Sequence, residues 1–151
     1  MKILKIIGWG LLFALIIIQF FPIDKNVAQD PDPSDDFATL YDVPPNVQET
    51  LKVSCYDCHS NTTTYLWYDK IQPAAWYIQS HIDEGKDELN FDEFGKYSAK
   101  RKSHKIDKIA EEVEEGQMPL STYTFMHTDS RLTDAQREEL VSWFKGLAEQ
   151  Q

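Results

Sequence analysis

Cys55-Tyr56-Asp57-Cys58-His59 is a CxxCH pentapeptide, and it contains the only two cysteines among 151 residues. In this order two thiols one helical turn apart can add to the two vinyl groups on one edge of a porphyrin, while the next residue swings its imidazole under the iron. That is the chemistry of covalent c-type haem attachment, with two thioethers and His59 as proximal ligand. Three other chemistries use paired cysteines. A thioredoxin-like CxxC sits beside a βαβ pattern, and nothing here alternates strand with helix. A zinc site needs a further ligand, which only a distant histidine could supply. A disulfide between residues three apart closes too small a loop to add much stability.

An iron held from one side by His59 has a second axial position. Gln117-Met118-Pro119 follows directly on Gly116, and a thioether on a proline-stiffened loop suits that position. A histidine and methionine pair also raises the reduction potential. The plain alternative is a methionine filling a gap beside a loop proline. His81 and His127 are the secondary candidates. His81 lies among apolar residues of an amphipathic stretch, where a hydrogen-bonded core histidine is the commoner outcome. His127 follows the loop ending at Met126 and either ties it down or touches the haem edge. His104 lies among Lys100, Arg101, Lys102 and Lys105 and reads as exposed.

The elements that must position these groups are helical. Val47 and Leu51 predict a short helix from Pro44-Pro45-Asn46 into Cys55. A polar loop, residues 60–64, leads to Tyr65, Trp67 and Tyr68, rings that could line a pocket or pack in the core. Pro73 suits the first turn of a helix carrying Trp76, Ile78, His81 and Ile82 and stopping near Gly85. Ile106, Ile109, Ala110 and Val113 mark the inner face of a longer helix ended by Gly116. Thr133 and Gln136 form a capping box before a last helix with Leu140, Trp143, Phe144 and Leu147. No strand pattern occurs, so the expected fold class is all-α.

Before that domain, residues 3–21 are a nearly unbroken apolar run of about 28 Å if helical, close to the hydrocarbon thickness of a bilayer. A transmembrane anchor over residues 1–23 is expected, with a cleaved signal peptide as the rival. The run ends in Phe20-Phe21-Pro22, with only Asn26-Val27-Ala28 as a weak cleavage pattern. Lys2 and Lys5 precede it, which keeps the N-terminus in the cytoplasm. In a Gram-negative cell the remainder is then periplasmic, on a single-pass protein of the cytoplasmic membrane. Residues 24–43 read as an acidic flexible linker, and residues 44–151 as the domain. Without Lys2 and Lys5 the exported part has thirteen basic residues against twenty-five acidic ones, a net charge of −12. That sign excludes nucleic acid as a partner and suits a redox protein with a basic docking surface.

The pattern Cys55-x-x-Cys58-His59-Ser60-Asn61, Trp67-Tyr68, Pro73, Trp76, His81-Ile82, Leu89-Asn90-Phe91, Gly116-x-Met118-Pro119, Tyr123, His127, Leu132-Thr133 and Trp143 resembles the membrane-anchored haem-binding domain family of bacterial envelope proteins. The chain is similar more broadly to small mono-haem cytochromes c. The resemblance spans residues 54–147 and departs at Phe94, where tryptophan is expected. It implies a small cytochrome c-like helical domain around one haem c. The reading is a single-electron carrier and not an enzyme, with no nucleophile and base constellation. The alternatives are a five-coordinate haem sensor or peroxidase-like domain, and a haem-free thiol redox or zinc domain.

Overall fold

The computed structural model describes residues 1–28 and 32–150. Among the described residues eight α-helices follow in order: α1 (Lys2–Ile18), α2 (Phe37–Leu40), α3 (Pro45–Ser54), α4 (Tyr56–His59), α5 (Ala74–Glu88), α6 (Ala99–Glu114), α7 (Ser121–Met126) and α8 (Asp134–Ala148). The one β element there is an isolated antiparallel bridge between Val27 and Thr62. The chain is all-α, as its periodicity predicts.

The two longest helices of the domain form its frame. Ser98 caps α6 by accepting the Arg101 amide, and Ile106, Ala110 and Val113 turn inward at helical spacing. Thr133 and Gln136 form both halves of the capping box of α8, whose Leu140, Val141 and Phe144 are buried. Among the described residues these helices make the most extensive contact between elements. Their shared core centres on Phe37, which is fully buried. Its ring lies 4.9 Å from those of Tyr41 and Phe94, 5.4 Å from Phe91, 5.7 Å from Phe144 and 5.8 Å from Trp143.

That centre corrects the expected linker over residues 24–43. Two of its acids cap turns: Asp32 accepts the Ser34 amide, and Asp36 accepts those of Ala38 and Thr39, so that α2 starts with Phe37 pointed into the core. Asn26 joins the attachment loop, donating from Nδ2 to Ser60 O and Thr63 Oγ1, both at 2.9 Å. Residues 29–31 of the segment, Pro31 included, lie outside the described residues.

Two helix boundaries also differ from expectation. Helix α1 has 17 residues, fewer than the apolar run offers, and among the described residues no helix is long and apolar enough to cross a membrane. Its C-cap is Gln19, whose Nε2 donates to Leu15 O at 2.9 Å and to Gln72 O at 3.1 Å. Pro22 disfavours helical backbone at the residue before it. The Gln72 amide donates to Gln19 Oε1 at 3.0 Å, and both Gln72 Nε2 and Trp76 Nε1 donate to Phe21 O at 3.1 Å. Helix α5 runs through Gly85 to Glu88. A Cβ on Gly85 would stand 2.8 Å from Cys58 O, so this glycine permits a close crossing and does not end the helix.

Candidate functional site

The attachment pentapeptide builds its own turn. The Cys55 amide donates to Leu51 O at 2.8 Å and closes α3, while Cys55 O accepts the amides of Cys58 at 3.2 Å and His59 at 3.0 Å and opens α4. Helix α4 packs on α5 at Gly85, bringing the α5 carbonyls within reach of His59. His59 Nδ1 lies 2.9 Å from Gly85 O and 3.0 Å from Leu89 O. Carbonyl oxygens only accept, so Nδ1 carries the proton and Nε2 the lone pair. Burial holds the imidazole pKa below its ordinary value, which keeps the ring neutral. Among the described residues Nε2 has no hydrogen-bond partner, and His59 lines a cleft of about 350 Å³. Cofactor sites commonly have volumes of about 300–1,000 Å³.

Cys55 and Met118 line the same cleft, with apolar walls that include Leu89, Phe91, Ile109 and Val113. Met118 is placed there by the end of α6. Gly116 has φ of +73°, a left-handed backbone that glycine adopts without strain. Its amide donates to Val113 O at 3.2 Å and that of Gln117 to Glu112 O at 2.9 Å, which is a Schellman motif. The Met118 amide shares Glu112 O at 3.1 Å.

The cleft has a charged rim that the sequence reading missed. His104, Lys105 and Lys108 line it with Glu88 and Glu112. Lys105 Nζ is 3.4 Å from a Glu88 oxygen, and Lys108 Nζ is 2.7 Å from Glu111 and 3.7 Å from Glu112. The available signal was the spacing of Lys105 and Lys108 around Ile109, which places them on the same edge of α6 as the cleft wall. His104 is exposed at this rim, as its lysine-rich context predicts.

Cys58, His81 and His127 sit elsewhere, on a second cavity of about 80 Å³ shared with Tyr68 and Met126. His81 Nδ1 is 2.8 Å from Tyr77 O, and its ring packs on Tyr77 at 4.3 Å. His127 stacks on Tyr123 at 4.1 Å, with Nε2 3.3 Å from the Tyr68 hydroxyl. The structure thus groups Cys55, His59 and Met118 and leaves Cys58 and both secondary histidines outside their cleft, on the neighbouring cavity. The cysteines are free thiols. Burial, with Cys58 nearby, pushes Cys55 up to about 12; burial, with Asp57 nearby, pushes Cys58 up to about 11. Such thiols stay protonated, unlike the thiolates of disulfide exchange. Among the described residues no three His, Cys, Asp or Glu side chains converge as a metal cage.

The donor set fits a haem. It offers an imidazole with a free lone pair, a thioether, a neutral thiol, apolar walls for a macrocycle and lysines at the rim for its carboxylates. The family model described as haem-binding domain matches residues 13–146. No curated protein and no solved structure matches the chain. With the match running from within α1 to the last turn of α8 and the cleft carrying donors of the required kind, the chain belongs to the haem-binding domain family.

Proposed function

We propose that the chain is a mono-haem c-type cytochrome that carries single electrons at the outer face of the cytoplasmic membrane. The observation that carries this reading is the pinned His59 ring, its Nδ1 between two backbone carbonyls and its Nε2 left for a cleft shared with Met118. A bound haem supplies one-electron redox chemistry. The chain's own residues do the rest. His59 and Met118 would present a nitrogen and a sulfur, the His59 ring held by two backbone carbonyls and the Met118 backbone by Glu112 O. Leu89, Phe91, Ile109 and Val113 exclude water. Cys55 in the cleft, and Cys58 once turned toward it from the neighbouring cavity, would anchor the group as thioethers, and the acidic surface would orient a basic redox partner.

Membrane attachment is part of the proposal. It is supported by α1, which has no buried residue, and by the hydrogen-bonded turns that continue it through Phe21. Lys2 and Lys5 orient it with the domain in the periplasm. The thiol redox alternative is opposed by the raised thiol pKa values.

The mass of the mature chain should include one tetrapyrrole that survives acid-acetone extraction. The ferric protein should show the weak far-red charge-transfer band of a methionine-ligated haem, and Met118→Ala should abolish that band while the haem stays attached. An unchanged spectrum in Met118→Ala discards Met118 as ligand and turns the reading to a five-coordinate sensor or peroxidase-like site. Absence of the tetrapyrrole overturns the cytochrome.

A further inference from the structure

The large apolar side chains left exposed outside α1 and its exit are gathered on one face. Eight such residues lie beyond residue 28 among those described, and all but Leu40 fall at Leu66, Trp67, Ile71, Trp76, Tyr77, Phe125 and Met126. Trp67 is 71% exposed and Phe125 75%. The two stretches meet: the Tyr68 ring, next to Trp67, lies edge-on to His127 at 6.1 Å, and Tyr68, Tyr77 and Met126 line one cavity. A monomer in water seldom gathers its exposed aromatics in this way.

The same face avoids charge. Residues 61–80 contain only Asp69 and Lys70, and residues 117–126 contain no charged side chain, in a chain with twenty-five acids. Asp69 is itself buried, 3% exposed. The face also adjoins the apolar N-terminal helix. Phe21 O accepts hydrogen bonds from Trp76 Nε1 and Gln72 Nε2, so the aromatic patch begins where the exit from α1 ends. Tryptophan and tyrosine with an apolar body and a polar edge settle where hydrocarbon meets headgroups.

We propose that this face, residues 66–77 with Phe125 and Met126, docks on the surface of the bilayer that receives α1. The proposal rests on the membrane reading of α1. Trp67, Trp76 and Tyr77 lie in the headgroup zone, Phe125 and Met126 reach toward the acyl chains, and the acidic remainder of the domain faces water.

The test uses the full haem-loaded chain in phosphatidylcholine vesicles doped with a diazirine-bearing lipid, with photoadducts mapped by peptide mass spectrometry. Adducts in α1 and also on residues 66–77 and 125–126 are expected. The double variant Trp67→Glu, Phe125→Glu, changed at two exposed positions, should lose the domain adducts and keep those of α1. Adducts confined to α1 overturn the docking, leave the anchor standing and release the face for a protein partner. Domain adducts undiminished in the double variant overturn it as well. A chain that fails to float with the vesicles overturns the anchor and the docking together.

Discussion

His59 owes its usefulness to a hydrogen bond on its far side. Two carbonyls claim Nδ1, so the tautomer that leaves Nε2 free is chosen before any iron arrives, and the ring pays little orientational entropy on binding. Asp69 shows the opposite situation. Its Oδ2 accepts the Leu66 amide, while the buried Oδ1 has no hydrogen-bond partner among the described residues, and burial lifts the carboxyl pKa above its ordinary 3.8. For an acid raised in the folded state, the protonated form is favoured by folding, and that favour is lost as pH rises through the folded pKa. Asp69→Asn should therefore raise the unfolding temperature at pH 7 by about 3 °C, equivalent to about 1 kcal/mol, with the margin shrinking toward pH 3.5 in paired thermal scans. An equal margin at both pH values would exclude the carboxylate charge as its source. The sequence displays the CxxCH residues because their chemistry is local. It conceals the place of the rim lysines, because the rest of the cleft they border comes from residues 54–59, 88–91 and 118–119, far along the chain from α6 or beyond its end. It also conceals the burial of Asp69, which its local bond to the Leu66 amide does not announce.

At the scale of elements, glycine is the clearest case of a residue whose role is set by its neighbour. Gly85 and Gly146 both lie inside helices, but a Cβ on the first would meet Cys58 O at 2.8 Å and on the second nothing within 4 Å. Gly146→Ala should stabilise by about 0.5–1 kcal/mol through helix propensity. Gly85→Ala should destabilise by about 1–3 kcal/mol by overpacking, and by displacing α4 and His59 it should also lower the haem content. Thermal unfolding and the haem-to-protein absorbance ratio test both, and equal effects of the two substitutions would refute the close-crossing account. The sequence told the helices themselves, since the spacing in α3, α6 and α8 and the capping box at Thr133 are local signals. It placed the end of α5 wrongly because a glycine that stops a helix and one that lets another helix approach look alike without the second helix.

At the scale of the molecule, the domain begins earlier than composition implies. An acidic, proline-punctuated segment carries Phe37, one aromatic with no periodic companions, and that ring is the centre of the core. Phe37→Ala should cost about 3–5 kcal/mol, a large share of a typical total of about 5–15 kcal/mol. A chain beginning at Pro44 should unfold at a markedly lower temperature than one beginning at Asp32, as followed by circular dichroism; equal stability would return residues 32–43 to the role of linker. The Gln19 side chain bonded to the Gln72 backbone, and Phe21 O held by the Gln72 and Trp76 side chains, have a mechanical consequence. They splice the first helix to the domain as a rigid stalk, so any inclination the helix adopts is inherited by the iron cleft. Whatever approaches the opening would then find it at one fixed azimuth to that helix instead of chasing a swinging target.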